Sequence, residues 1–236
     1  MKKILLSLVA VLVCAMSANA DIYISSTTFP DATFRNKVKA FDTNNDNYLS
    51  DAEIRAVETM DVSDLIIFDL TGIEYFSALH VLNCAGNELT SLDLSQNFNL
   101  NELNCNYNRL TSIILPAYKV YDGSNYVNFV QKLSCNGNDL TDIGSITNLK
   151  YCSYLTIFEC GQNYFTEFSL PRISNTPALT RLQLLYCRSN TLLTDIEVAE
   201  QDSLWAIDVA GCTALKYLNC YDNNLTSLDL SSCTAL

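Results

Sequence analysis

Apolar residues along this chain fall into a frame that advances by a fixed step. Leu79, Leu82, Cys84, Asn87, Leu89, Leu92 and Leu94 return as Leu100, Leu103, Cys105, Asn108, Leu110, Ile113 and Leu115, every position displaced by 21 residues. After an insertion the frame reappears as Val130, Leu133, Cys135, Asn138, Leu140 and Ile143, then as Leu155, Phe158, Cys160, Asn163, Phe165 and Phe168. A looser copy runs Leu182, Leu185, Cys187, Asn190, Leu192 and Ile196, and the last full copy runs Leu215, Leu218, Cys220, Asn223, Leu225, Leu228 and Leu230. Between those two, Leu204, Ile207 and Val209 make half a repeat; Val57, Met60, Val62, Leu65, Ile67 and Leu70 make a degenerate opening copy without cysteine. Such a period predicts a solenoid, in which each repeat is one coil and neighbouring coils share a continuous core.

Stacked coils place equivalent side chains in columns about 4.8 Å apart. Cys84, Cys105, Cys135, Cys160, Cys187 and Cys220 are therefore expected to form one inward column, each acting as a compact hydrophobe. Side chains held parallel keep their Cβ atoms about 4.8 Å apart, wider than the roughly 3.8 Å of a disulfide. Reduced thiols are the expectation. Cys152, Cys212 and Cys233 precede the next repeat by three residues and suggest a partial second column on the convex side, with a Cys212–Cys233 bridge left open. The asparagines Asn87, Asn108, Asn138, Asn163, Asn190 and Asn223 stand at each strand exit, where their amides can satisfy turn backbone.

The frame L-x-x-L-x-L-x-x-N/C-x-L resembles the leucine-rich repeat, and cysteine in its third apolar slot is similar to bacterial internalin-type proteins that carry a cysteine ladder. The resemblance covers residues 57–236 and implies a right-handed solenoid with parallel β-strands on a concave face. The "LTSLDLS" half of each coil alternates apolar and polar residues, so short strands or 3-10 turns are expected on the convex side. Residues flanking the inward strand positions should face outward: Val81, Asn83, Glu102, Asn104, Lys132, Ser134, Ile157, Glu159, Leu184, Tyr186, Arg188, Asp208, Tyr217, Asn219 and Tyr221. Glu159, Tyr186, Arg188, Tyr217 and Tyr221 are the candidate partner-binding residues, because tyrosine and arginine are enriched in recognition surfaces. The insertion "PAYKVYDGSNY" adds Tyr118, Tyr121 and Tyr126.

Residues 29–57 obey another period. Phe34, Val38 and Phe41 fall at helical spacing, and Ile54 with Val57 continues the stripe beyond a polar loop, "DTNNDNYLSDAE". That loop resembles the calcium-binding EF-hand pattern. Asp42, Asn44 and Asp46 occupy the first, third and fifth positions, the Tyr48 carbonyl the seventh and Glu53 the twelfth. Asn47 departs from it, standing where glycine makes the sharp turn. The plainer account is a helical end cap whose "SDAE" is a capping box between Ser50 and Glu53. The two are compatible, calcium being a structural staple of the cap.

Lys2 and Lys3, the apolar run from Ile4 to Val13 and "ANA" at 18–20 make residues 1–20 a signal peptide with cleavage after Ala20. The chain then divides into that leader, a helical cap at 21–56 and repeats at 57–236, which are expected to continue past Leu236. Loss of the leader leaves 12 bases against 26 acids, a net charge of −14. Such a surface repels nucleic acid. No transmembrane segment is expected after the leader. His80 is the sole histidine, and no G-x-G-x-x-G, P-loop, G-x-S-x-G or H-E-x-x-H is present. Glu102 and Glu159 lie two coils apart, too far to act as paired carboxylates without a cleft. The expected function is a secreted or surface-displayed, non-catalytic binding module for a protein or glycan. The alternative is a spacer solenoid displaying another domain.

Overall fold

The computed structural model describes residues 21–119, 126–174 and 176–236. The leader expected at 1–20 and Tyr121 lie outside the described residues. Three-residue strands recur along the coils and sort into a long sheet and two short ones. The long sheet holds seven parallel strands in chain order: Thr59–Asp61, Val81–Asn83, Glu102–Asn104, Lys132–Ser134, Ile157–Glu159, Leu184–Tyr186 and Ala206–Asp208. Their middle residues, from Met60 and Leu82 to Phe158 and Ile207, are buried, while the residues either side point outward, as the two-residue period of a strand requires. Ser134 alone among those expected outward is buried. Ser91–Asp93, Ser112–Ile114 and Ile146–Thr147 form one short sheet on the opposite side of the coils. Glu167–Ser169, Asp195–Glu197 and Tyr217–Asn219 form the other.

Cys84, Cys105, Cys135, Cys160 and Cys187 are fully buried, and all nine cysteines among the described residues carry free thiols. Burial pushes the Cys84 thiol up to about 12 and holds Cys105, Cys160 and Cys187 well above their ordinary range. A thiol that does not ionise is no nucleophile. The column is packing.

Beside it runs a column of asparagine rungs. Each amide donates to the cysteine carbonyl of its own coil and of the coil before: Asn108 to Cys105 and Cys84, Asn138 to Cys135 and Cys105, Asn163 to Cys160 and Cys135, Asn190 to Cys187 and Cys160, at 2.7–3.2 Å. Each amide oxygen in turn accepts a backbone N–H of the preceding coil, Leu89, Leu110, Leu140 and Asn163 respectively. Just before the rung position, held by Leu65 in the first of these coils and Cys212 in the last, the chain turns through a left-handed residue in successive coils: Asp64, Gly86, Tyr107, Gly137, Gln162, Ser189 and Gly211.

The half repeat shifts the placement of every later block. Strands at Leu184–Tyr186, Asp195–Glu197, Ala206–Asp208 and Tyr217–Asn219 alternate between the long and the short sheet. Residues 206–215, "AIDVAGCTAL", have the character of a short-sheet block, yet they take the next place in the long sheet, Ala206 and Asp208 pairing with Leu184 and Tyr186. The block "YLNC" is thereby displaced by half a coil, and Tyr217 and Asn219 pair with Asp195 and Glu197 instead. The rungs confirm the displacement. Asn223 donates to Val198 and Cys220 carbonyls, and the Cys212 thiol takes the rung position that follows Asn190, donating to the Cys187 carbonyl, while Val209 fills the column slot after Cys187. Three expectations are corrected: Cys220 does not extend the column of Cys187, Cys212 stands at the rung position after Asn190 rather than in a convex column, and Tyr217, Asn219 and Tyr221 do not share a sheet with Tyr186. Leu192 is likewise corrected, being 52% exposed while Leu193 fills the inward slot.

The first coil is covered by two helices, Ala32–Val38 and Asp51–Ala56, joined by a 3-10 turn, Lys39–Phe41, and the polar loop. Asp31 N-caps the first helix through Oδ1, which accepts from Thr33 and Phe34 N–H, while Oδ2 accepts from Phe68 N–H of the first coil. One carboxylate thus starts the helix and fastens it to the solenoid. Phe29, fully buried, meets Phe34 and Tyr75 edge-on at 5.9 Å.

Candidate recognition face and cap loop

The outward side of the long sheet is set by strand register. Glu159, Tyr186 and Asp208 lie in one row on three adjacent strands. Arg188 comes two residues after Tyr186, exposed, and has no carboxylate in ion-pair distance among the described residues. Its side chain and carbonyl close over Gly161, where an added Cβ would lie 2.7 Å from the Arg188 oxygen. Asn136 holds the neighbouring carboxylate. Its amide donates to Glu159 Oε2 at 3.1 Å and to Asn106 Oδ1, and its own oxygen accepts from Gly161 N–H at 2.7 Å. Glu159, Tyr186 and Arg188 therefore stand together on a rigid sheet whose inward side is already filled.

Tyr217 and Tyr221 belong to another surface. Tyr221 Oη donates to Glu200 Oε1, and Arg172, from the hairpin Arg172–Ile173/Thr176–Pro177, bonds Glu200 Oε2. The Tyr221 hydroxyl and the Arg172 guanidinium hold the Glu200 carboxyl below its usual range. No sequence signal announced this trio, because it joins an inserted hairpin to two different coils.

The cap loop is closed by hydrogen bonds. Asp42 accepts from Asp46 and Asn47 N–H, Asn44 Oδ1 from Asp46 N–H, and Asp46 from Tyr48 N–H. Asn45 and Asn47 are left-handed, at φ 61° and 66°, so asparagine supplies the turn for which glycine was expected. Strand Tyr48–Leu49 pairs antiparallel with Ile22–Tyr23. Glu53 Oε1 accepts from Thr43 N–H and Oγ1, and Oε2 from Ser50 N–H and Oγ, all within 2.9 Å. The capping box is complete. Among the described residues, no three acidic, histidine or cysteine side chains gather closely enough to hold an ion. The donors from Thr43 and Ser50 bring the Glu53 carboxyl down to about 2. A folded value below the unfolded one stabilises above roughly pH 4.5 and is lost as pH falls towards about 2. In thermal melts, Glu53→Gln should melt below wild type at neutral pH, and the gap should close across that window. A gap independent of pH would show that the carboxylate charge is not what holds the loop.

Coils joined by parallel strands, buried leucines, an asparagine rung and a thiol column define a leucine-rich-repeat solenoid with a cysteine ladder. No family model matches the chain. Internalin J of Listeria monocytogenes serotype 4b (strain F2365) is 37% identical over 70 residues, 29% of this chain and 8% of that protein. Among solved structures, the functional domain of InlJ from Listeria monocytogenes, which includes a cysteine ladder, superposes with a TM-score of 0.65 at 28% identity, over 93% of this chain and 47% of that one. The chain spans about half of that structure and under a tenth of the curated relative. It is an internalin-like, cysteine-ladder leucine-rich-repeat protein.

Proposed function

We propose that this is an exported or surface-displayed, non-catalytic module that binds a protein or glycan through the outward face of the seven-stranded sheet, at Glu159, Tyr186 and Arg188. The supporting observation is the row itself: a pre-set carboxylate and a tyrosine on adjacent strands, and just beyond the tyrosine a guanidinium without an ion pair among the described residues, none of them filling the core. Non-catalysis is supported by the thiols. Cys84, four residues after His80, is fully buried, so the two form no nucleophile–base pair. The test is capture from extracellular or host-surface extracts at equal folded concentration. Truncating an interface anchor costs at least about 2 kcal/mol, roughly thirtyfold in affinity. Tyr186→Ala/Arg188→Ala should lose the partner, and Tyr217→Ala/Tyr221→Ala, on the other surface, should keep it. Equal capture by all three forms would favour the spacer alternative.

The proposal includes calcium as a staple of the cap, held by Asp42, Asn44, Asp46, the Tyr48 carbonyl and Glu53. What supports it is the oxygen-rich loop with left-handed turns at Asn45 and Asn47. Glu53 would have to exchange its four hydrogen bonds for the ion. Thermal melts of the same two forms in millimolar calcium should shift upward for wild type and stay put for Glu53→Gln; no shift in wild type leaves the capping box alone.

A further inference from the structure

We propose that the leading edge of the coils, where the chain crosses from the short sheets into the long one, is a second docking surface, and that its partner is a protein with an acidic patch. The described parts of four successive crossings, residues 95–101, 126–131, 149–156 and 178–183, contain no Asp or Glu, although the chain has 26; Asp122 falls in the second crossing, outside the described residues. The crossings on either side carry acids again, at Glu74 and at Glu200 and Asp202. Within those parts, rings from adjacent coils stack. Tyr126 lies 4.8 Å from Tyr151, and Phe129 lies 5.7 Å from Tyr154. Two cations cover the stacks: Lys150 Nζ is 5.1 Å from the Tyr151 ring and Arg181 is 4.6 Å from that of Tyr154. Neither has a carboxylate in ion-pair distance among the described residues, whereas Arg55, Arg109 and Arg172 are each paired. In a chain of net charge −12, cations left without acids are a local positive field.

The ring arrangement selects the kind of partner. A sugar packs on a bare aromatic face, but Tyr154 lies between Phe129 of the coil before and Arg181 of the coil after. Covered from both neighbouring coils, Tyr154 leaves its edge and hydroxyl to a partner, and Lys150 and Arg181 add cationic heads. Ring edges carry the positive end of the aromatic quadrupole, so they complement carboxylate oxygens as the cations do. Tyr126 and Phe129 remain 41% and 37% exposed, leaving apolar area for an interface core.

The test uses defined probes on the immobilised full chain at about 50 mM salt, where screening is weak: a glutamate–tyrosine copolymer as the acidic polypeptide and heparin as the acidic glycan. Wild type should bind the copolymer, and Lys150→Glu/Arg181→Glu should weaken it by about tenfold or more. Lys216→Glu, an exposed charge reversal elsewhere, should leave binding within about twofold. Tyr186→Ala/Arg188→Ala should also retain the copolymer, which separates this surface from the face of the seven-stranded sheet. Melting curves verify that the surface substitutions leave the fold intact. Absence of copolymer binding, indifference to the double reversal, or tighter binding of heparin through the same two residues would each overturn the proposal.

Discussion

Replacing Asn163 by alanine should lower the unfolding free energy by about 2.5–7.5 kcal/mol, among the largest effects of any single polar substitution in this chain. The size of the loss depends on what each partner has left. Asn163 Nδ2 donates to the carbonyls of Cys135, Cys160 and Gly161 at 3.0–3.1 Å. Those carbonyls keep second partners in Asn138, Asn190 and Gly137. Each of these losses therefore costs only the net value of a hydrogen bond, about 0.5–1.5 kcal/mol. Leu140 N–H is different: its acceptor is Asn163 Oδ1, the site is buried, and an orphaned donor costs about 1–3 kcal/mol. For a chain of this length the sum corresponds to a fall in melting temperature of roughly 5–30 °C. Asn224→Ala is the control, since its amide reaches the Asp202 carbonyl at an exposed position and should change little. A loss below about 1 kcal/mol for Asn163→Ala would mean that the rung does not bind coil to coil.

The second large effect is expected at the junction of cap and solenoid. Gly72 has φ +104°, and a Cβ there would lie 2.2 Å from the Phe29 ring and 2.8 Å from the Thr28 carbonyl oxygen. Gly72→Ala combines backbone strain of about 1–3 kcal/mol with overpacking of about 1–3 kcal/mol. Phe29 cannot swing aside, because it is fully buried among Phe34, Tyr75 and Phe76. Gly137→Ala is the informative contrast. Its φ is +64°, and the obstructing Tyr107 ring is 60% exposed and free to turn outward; about 1 kcal/mol is expected there. Limited proteolysis should cut the Gly72→Ala cap within residues 21–56 while the coils resist. Uniform destabilisation with an intact cap would show that the joint tolerates displacement.

The solenoid was readable from spacing because each inward slot demands the same residue type in every coil. Leu103, Cys105 and Asn108 repeat Leu82, Cys84 and Asn87 since their surroundings repeat. The outward face was readable as far as Asp208 and not beyond. Both halves of a coil carry nearly the same apolar spacing, so "YLNC" fits either sheet, and only the number of half-coils before it decides which one it enters. Counting Leu204, Ile207 and Val209 as half a repeat held the information, and its consequence for Tyr217 and Tyr221 becomes visible only in strand pairing. Asp31 was missed for another reason. Its bond to Phe68 N–H joins positions 37 residues apart, and no local pattern encodes such a reach.

The displaced half-coil also separates two kinds of inheritance. Because leucine spacing satisfies either side of the solenoid, duplicating one block of ten or eleven residues leaves every later core position apolar while turning every later surface position to the opposite side. The segment from Tyr217 to Asn223 shows the outcome: it keeps its rung, Asn223, now bonded to Val198 and Cys220, and gives its tyrosines to the other surface. A lineage of such proteins can therefore rotate an existing surface, already compatible with folding, towards a new partner by a single short duplication rather than by many substitutions.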